Sequence, residues 1–304
     1  MGIITGGVVL FLKPCNLHQV VRFFKMVHMY LLFLLLMISS SLGNNRVMVW
    51  LCLEFCDETP EQIRDHLLSI ERHKDVLQAV SFEKYTLGPN STLVDNELTE
   101  VSFQLNRIGV ETWPLLSSFP HPDEFIDWMR QVFENPQPFI TSCIQAAKKY
   151  DYVGWNLDWE PTGNDVTDED GVNYAKFIDT FAKALHEADL KLTVDYATWS
   201  PIWNVTAIAD TAVDKLISMG TYTSTDSSFN HQLEILTDAV GSDGSRAGVG
   251  LENVNASTGE RIPMDEVVWR FNETVNSGAQ EIDIWRMPVP PFWWPLIEKF
   301  VQIP

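Results

Sequence analysis

Short apolar runs alternate with amphipathic stretches over most of this chain. Eight runs rich in β-branched or aromatic residues are predicted to be strands: residues 47–55, 76–85, 109–117, 152–160, 191–197, 215–222, 247–252 and 281–287. Helices are predicted in segments that begin near proline or acidic residues: 60–70, 122–133, 137–150, 170–186 and 264–276. For residues 241–250, a loop fits equally well. Strands that alternate with helices in this number favour a single-domain α/β protein, a closed (β/α)8 TIM barrel, over an open sheet.

The first 43 residues differ from the rest. An apolar run, YLLFLLLM, follows Lys13, Arg22 and Lys25 and precedes the small-residue stretch SSSLG, which is the layout of a signal peptide. We therefore predict a signal peptide over residues 1–43 and one folded domain over residues 44–304. An uncleaved signal anchor and a true start at Met26 stay open as alternatives.

Four N-glycosylation sequons follow the predicted signal segment. They begin at Asn90, Asn204, Asn255 and Asn272. Such sequons are typical of chains that pass through a glycosylating secretory pathway. They predict a glycoprotein that is secreted or lies in the lysosomal or endomembrane lumen.

The net charge of the chain limits its possible binding partners. The formal net charge is −20, and removal of three basic and no acidic residues with the signal segment takes it to −23, which argues against nucleic-acid and anionic-membrane partners.

Three cysteines remain after removal of the signal segment: Cys52, Cys56 and Cys143. Because their number is odd, at least one thiol is predicted to be free. No disulfide framework is predicted, since in an extended strand Cys52 and Cys56 would lie about 13 Å apart, too far to bridge without a bend.

The run YVGWNLDWEP at residues 152–161 carries the candidate chemistry. Strand alternation places Gly154, Asn156, Asp158 and Glu160 on one face and apolar residues on the other. Charges that face a barrel interior are costly unless they are paired or functional, and barrel active sites lie where the strands end. One carboxylate raises the proton affinity of its neighbour. We therefore predict that Glu160 is an acid and that Asp158 is its ionised or proton-sharing partner.

The segment GWNLDWE at residues 154–160 resembles the signature of family-18 glycoside hydrolases, the chitinases and chitobiases. In that signature a glycine precedes a D-x-D-x-E triad on the fourth barrel strand. Asn156 stands at the first aspartate of the triad, as in chitobiase-like members, and Val153 replaces the motif's leading aspartate.

Three further segments resemble family motifs in the expected order. LLSS at residues 115–118 is similar to the serine motif of strand three without its glycines. MGTYT at residues 219–223 is similar to the strand-six motif M-x-Y-D, with Tyr222 at the tyrosine and Thr223 where aspartate or asparagine is usual. Trp285 resembles the strand-eight tryptophan that forms the floor of the sugar site.

This resemblance covers almost all of residues 46–304 and implies a retaining, substrate-assisted hydrolase of β-linked N-acetylglucosamine glycans. The substrate would be a chito-oligosaccharide or the chitobiose core of an N-glycan. Glu160 would protonate the glycosidic oxygen, the substrate's 2-acetamido carbonyl would be the nucleophile, and Asp158 would stabilise the oxazolinium. Tyr222 would hydrogen-bond the acetamido group, and Asn156 and Trp285 would complete the sugar site. No cofactor, metal or protein partner is implied.

Two alternatives remain open. Glu252, near the end of the seventh predicted strand, could be the nucleophile of a two-carboxylate retaining glycosidase, with its carboxyl group about 5 Å from that of Glu160. Alternatively, the protein could be a non-catalytic lectin that binds chito-oligosaccharides on the same barrel. Its sugar-stacking candidates are Trp113, Trp199, Trp203 and Trp285.

Overall fold

Eight parallel strands close into a barrel. In the computed structural model of this chain, which describes residues 45–96, 99–163, 165–255 and 258–303, β1 hydrogen-bonds both β2 and β9 and so closes the sheet. The strands are β1 Arg46–Leu51, β2 Ala79–Gly88, β3 Thr92–Asp95, β4 Glu111–Ser117, β5 Gly154–Asp158, β6 Lys191–Tyr196, β7 Lys215–Ser218, β8 Ala247–Glu252 and β9 Glu281–Trp285. All except β3 belong to the barrel and follow chain order around it, which confirms the predicted TIM barrel. The predicted signal segment and Met26 lie outside the described residues.

Nine helices pack outside the barrel in the described ranges. They are α1 Pro60–His73, α2 Thr99–Ile108, α3 Phe125–Glu134, α4 Gln137–Tyr150, α5 Asp168–His186, α6 Val205–Ala209, α7 Asp226–Val240, α8 Met264–Ser277 and α9 Trp294–Val301. The bounds of α4 are those predicted, whereas α2, α6, α7 and α9 were not predicted. Within the described part of the chain, no helix is both long and apolar enough to cross a membrane.

The predicted strands all exist, and most are shorter than predicted. The strand at residues 247–252 has the predicted bounds, while a 3-10 turn at Gly244–Arg246 occupies part of the segment that could have been a loop. The unpredicted β3 pairs antiparallel with the end of β2 across the turn Pro89–Ser91. Asn90 adopts a left-handed conformation in that turn, which asparagine tolerates better than most residues.

Side chains of alternate parity divide the core into two layers. Along β5, Trp155 and Leu157 face the surrounding helices, and Trp159 follows them with its ring stacked on Phe177 at 5.2 Å between centroids. The inward-facing residues of β1, by contrast, pack with Trp113 and other apolar side chains inside the barrel. The inward orientation predicted for Asn156 and Asp158 follows from this anchoring.

Buried charges near the N-terminal end of the barrel are paired with cations. Glu281 on β9 contacts Lys215 at 2.9 Å and Arg46 at 3.3 Å. Burial would raise the pKa of Glu281, but these two cations lower it overall. The charges at this end are therefore stabilised as ions within the protein.

Cys52 and Cys56 form a disulfide, so the prediction of no disulfide framework was wrong. Their Cα atoms lie 5.7 Å apart because β1 ends at Leu51 and the chain then turns back on itself. Glu83 on β2 stabilises this turn, since its carboxylate accepts hydrogen bonds from the N–H groups of Leu53 and Phe55 at 2.7 and 3.2 Å. The prediction of a free thiol is confirmed by the buried Cys143.

Candidate active site

The C-terminal ends of the barrel strands surround a pocket of about 220 Å³. Its lining consists of acidic and aromatic side chains together with one methionine: Trp50, Phe55, Asp158, Glu160, Asp195, Trp199, Met219, Tyr222 and Trp285. Four of the five residues predicted for the site thus lie in or at one cavity, and the fifth, Asn156, lies behind its wall. This is the end of the barrel at which enzymes of this fold carry their active sites.

Asp158 is the last residue of β5, and Glu160 lies two positions beyond it. Both face the pocket because the intervening Trp159 is completely buried among the helices. Burial raises the pKa of Asp158, and the nearby carboxyl groups of Glu160 and Asp195 add to this increase. Burial also raises the pKa of Glu160. No lysine or arginine is among the described residues that line the pocket, in contrast to the paired charges at the other end, so these carboxyl groups favour holding protons.

Asn156 makes four hydrogen bonds inside the barrel. Its Oδ1 atom accepts from Trp50 Nε1 and from Ser81 Oγ, both at 2.8 Å. Its Nδ2 atom donates to Thr193 Oγ1 at 3.1 Å and to Asp195 Oδ1 at 2.9 Å. The full hydrogen-bonding capacity of the amide is therefore used by protein partners, and contact with a sugar stays a prediction.

Asp195 was missed by sequence reasoning. It lies near the end of β6, is almost completely buried, and lines the pocket. Burial raises its pKa, while the hydrogen bond from Asn156 opposes this increase. The signal in the sequence was the one that identified Asp158, namely an acidic residue at an inward position near the C-terminal end of a barrel strand.

Ser118, from the predicted serine motif, holds the backbone at Glu160. Its Oγ atom accepts a hydrogen bond from the Glu160 N–H at 3.2 Å and lies 3.1 Å from Nδ1 of His121. The His121 ring also hydrogen-bonds the backbone of Glu160, which partly opposes the lowering of the His121 pKa by burial. The rings of Phe55 and Phe119 lie against His121, each with its centroid 6.3 Å away. Sequence reasoning missed His121 because an isolated histidine forms no pattern.

Tyr222 enters the pocket from the loop after β7. Gly250 on β8 makes room for it, since a Cβ atom there would lie 3.1 Å from the tyrosine hydroxyl. Arg270 on α8 fixes the loop by donating hydrogen bonds to the carbonyl oxygens of Thr221 and Thr223. Burial raises the pKa of Tyr222, and Asp195 adds to the increase, so the phenol remains a hydrogen-bond donor.

Aromatic rings form the apolar part of the pocket. Trp285 packs edge-on against Trp50, with centroids 6.1 Å apart, and contacts Phe55 at 6.5 Å. Phe55 and Trp199 are 54% and 62% exposed, although both are large apolar side chains. Rings placed in this way offer apolar faces to a ligand.

Some residues on which the lectin and the two-carboxylate alternatives depend do not line this pocket. Trp113 is buried inside the barrel beneath Arg46, and Trp203 is buried against Trp199, so neither is open to stack on a sugar. Glu252 is buried at the end of β8 and is not part of the lining of the described pocket. The group of residues that surrounds Glu160 in this pocket contains Asp158 and Asp195 instead.

No protein-family model and no curated protein matches this chain. Several solved structures share its fold. The spore cortex-lytic enzyme SleL of Bacillus megaterium QM B1551 aligns with a TM-score of 0.70 and 13% identity, covering 86% of this chain and 75% of that one. A chitinase from Chromobacterium violaceum ATCC 12472 aligns with a TM-score of 0.68 and 12% identity, covering 84% and 98%.

The GH18 chitinase ChiB from the chitin utilization locus of Flavobacterium johnsoniae aligns with a TM-score of 0.63 and 14% identity, covering 85% of this chain and 94% of that one. At such identities the similarity establishes a common fold. It confirms the (β/α)8 fold that the resemblance of residues 154–160 implied.

Proposed function

We propose that this protein is a glycoside hydrolase that cleaves β-linked N-acetylglucosamine glycans by a retaining, substrate-assisted mechanism. The observation that carries the proposal is the pair Asp158 and Glu160, which face one aromatic-lined pocket at the C-terminal end of the barrel. The chitinases among the structural neighbours support the same class of substrate.

Glu160 is the proposed general acid. Its raised pKa keeps it protonated closer to neutral pH than an exposed glutamate, so it can donate its proton to the glycosidic oxygen as the bond breaks. The same carboxylate can then activate the water that completes hydrolysis. The backbone contacts from Ser118 and His121 keep the residue at the edge of the pocket.

Asp158 and Tyr222 are proposed to act on the substrate's acetamido group. The acetamido carbonyl would attack the anomeric carbon, which gives an oxazolinium ion in place of an enzyme-bound sugar. The Tyr222 hydroxyl can donate a hydrogen bond to that group, and an ionised Asp158 beside it stabilises the positive charge. Asp158 Oδ1 is buried and makes no hydrogen bond among the described residues, so it remains available for a substrate N–H.

The aromatic walls fit a neutral sugar. Trp285 at the pocket and the exposed Phe55 and Trp199 at its rim can pack against the apolar faces of pyranose rings. A net charge of −20 favours an uncharged glycan over an anionic one.

The test is release of a fluorophore from β-conjugates of chitobiose and chitotriose by the full-length chain expressed through a secretory route. Glu160→Gln should lower kcat about 10²- to 10⁴-fold, the usual contribution of a general acid. Glu252→Gln tests the two-carboxylate alternative, and Glu298→Gln, on the exposed side of α9, is the matched control. Loss of activity in both the Glu160 and Glu252 variants would favour the two-carboxylate mechanism.

The second candidate function is a lectin, and the exposed rings of Phe55 and Trp199 favour it. A lectin would bind chito-oligosaccharides in calorimetry without hydrolysing them, and Glu160→Gln would keep full affinity. Absence of both hydrolysis and binding would contradict the proposal and this alternative together.

We also propose that this protein is a glycoprotein that is secreted or lies in the lysosomal or endomembrane lumen. Asn90, Asn204 and Asn272 are exposed, although the side chain of Asn204 also caps α6. A shift to lower mass after enzymatic removal of N-glycans from material made in a eukaryotic host would support this location, and an unchanged mass would count against it.

A further inference from the structure

The neighbouring strand carries a carboxyl group close to the position at which β5 has Asn156. Residues 154–157 of β5 pair in parallel register with residues 191–194 of β6, and Asn156 is opposite Thr193. Continuing this register by one residue places Asp158 level with Asp195, on strands about 4.8 Å apart. Both side chains line the same pocket.

The orientation of the Asn156 amide is determined by its partners. Trp50 Nε1–H can only donate, so the atom that it contacts must be the amide oxygen. The amide nitrogen must then face Asp195, to which it donates at 2.9 Å. A donor in this position stabilises the ionised carboxylate of Asp195. Asp158 Oδ1 has no such partner among the described residues.

We propose that Asp195 supplies the carboxylate that is missing at position 156 and shares a proton with Asp158 during the reaction. This inference rests on the proposed function. In the resting site Asp158 holds the proton and Asp195 is ionised. When positive charge develops on the oxazolinium, the proton moves from Asp158 to Asp195, so Asp158 gains the negative charge that stabilises the intermediate. The proton returns when the intermediate is hydrolysed, and the site neither gains nor loses a proton overall.

Among the described residues, the titratable groups that interact with Asp195 are carboxyl groups and phenols. Asp158 faces it from the end of β5, Glu160 from just beyond β5, Tyr174 from α5, Tyr222 from the loop after β7, and Asp283 from β9. Tyr174 and Tyr222 have raised pKa values, chiefly because they are buried, and therefore stay neutral. Adjacent carboxyl groups in such a site cannot all ionise together and titrate as a coupled set.

The decisive experiment moves the carboxylate between strands. Asp195→Asn should lower kcat about 10- to 100-fold, less than the roughly 10²- to 10⁴-fold of a general acid, because Asp195 acts on the substrate only through Asp158; KM should change much less, since no aromatic contact is removed. It should also shift the basic limb of the kcat/KM profile to lower pH, since loss of a negative charge lowers the pKa of Glu160. The double variant Asn156→Asp/Asp195→Asn returns the carboxylate to β5 and should recover at least about a tenth of the parent kcat.

Asp189→Asn is the matched control. This aspartate is exposed in the loop before β6 and has a left-handed conformation that asparagine also accepts. Thermal unfolding of each variant separates a loss of catalysis from a loss of fold. An Asp195→Asn protein with the parent's kcat and pH profile would overturn the proposal, as would a double variant no more active than Asp195→Asn while both are folded.

Carboxyl ¹³C NMR titration gives a result that does not depend on hydrolysis. In the parent, Asp158 should titrate well above an exposed aspartate, and Asp195→Asn should lower its pKa while Asp189→Asn leaves it unchanged. If the parent hydrolyses no conjugate but this shift occurs, the proposed function fails and the Asp158–Asp195 coupling stands. If Asp158 titrates identically in parent and Asp195→Asn, the coupling itself is refuted.

Discussion

Ser118→Ala tests whether the backbone at Glu160 must be held for catalysis. The Ser118 hydroxyl accepts a hydrogen bond from the Glu160 N–H at 3.2 Å and lies 3.1 Å from His121 Nδ1. Because Ser118 is buried and does not line the pocket, its removal changes no direct contact with a ligand. The variant therefore separates positioning of the acid from binding of the sugar.

The expected losses of stability and of kcat in Ser118→Ala follow from the two hydrogen bonds that the variant removes. Each hydrogen bond contributes about 0.5–1.5 kcal/mol, so the free energy of unfolding of the variant should be about 1–3 kcal/mol lower than that of the parent. Since about 1.4 kcal/mol corresponds to a tenfold rate change, complete use of these bonds to position Glu160 would lower kcat up to about 100-fold. We expect a decrease of about tenfold with KM nearly unchanged.

Steady-state kinetics on the chitobiose conjugate and urea unfolding measure the two consequences separately. His121→Asn is the companion variant. Asparagine suits the left-handed backbone at this position, where φ is 56°, and it can still pair with Ser118, but it is too short to replace the whole ring. Its kcat should lie between those of the parent and Ser118→Ala.

Ser142→Ala, which removes a hydroxyl bonded to its own helix α4, is the control. A Ser118→Ala protein that is less stable but has the parent's kcat would show that these bonds only support the fold. The positioning role would then be refuted.

Three further predictions concern stability. Trp159→Ala should lower the free energy of unfolding by about 3–5 kcal/mol in urea titration, because this buried ring stacks on Phe177 at 5.2 Å. Cys56→Ser should lower it by about 2 kcal/mol, the chain-entropy contribution of so short a loop, and a stability equal to the parent's would contradict this. Asp170→Asn should cost about 1–2 kcal/mol at pH 7, because its partner Arg130 is partly exposed to screening solvent. Arg130 lowers the pKa of Asp170, so this difference should be full above pH 4 and should disappear as the pH falls through the folded-state pKa; a pH-independent difference would contradict it.

The inward face of β5 was predictable because its opposite face is so strongly apolar. Trp155, Leu157 and Trp159 can be buried together only on one side of the strand, and this directs Asn156 and Asp158 to the other. Tyr222 and Trp285, by contrast, are far away in sequence, and only the family resemblance indicated that they would reach the same pocket.

The end of β1 and the disulfide beyond it depend on contacts between residues distant in sequence, which the hydrophobic pattern does not reveal. β1 ends at Leu51 because Glu83, on another strand, accepts hydrogen bonds from the backbone beyond it, and this turn brings Cys52 within reach of Cys56. Whether an apolar run continues as a strand or turns is decided here by a side chain about thirty residues away. The error in the cysteine prediction therefore followed from the strand boundary.

The pKa values of buried carboxyl groups are shifted in opposite directions at the two ends of the barrel. At the N-terminal end, Lys215 and Arg46 lower the pKa of Glu281, so its charge belongs to the folded structure. At the C-terminal end, Asp158 and Asp195 lie on adjacent strands with raised pKa values, and the neutral amide of Asn156 donates a hydrogen bond to Asp195. An amide can stabilise one ionised carboxylate without neutralising it, which leaves a proton that can move. Exchange of asparagine and aspartate between β5 and β6 would keep this property, because positions 156 and 195 differ by two residues in the parallel register and their side chains lie within hydrogen-bonding distance.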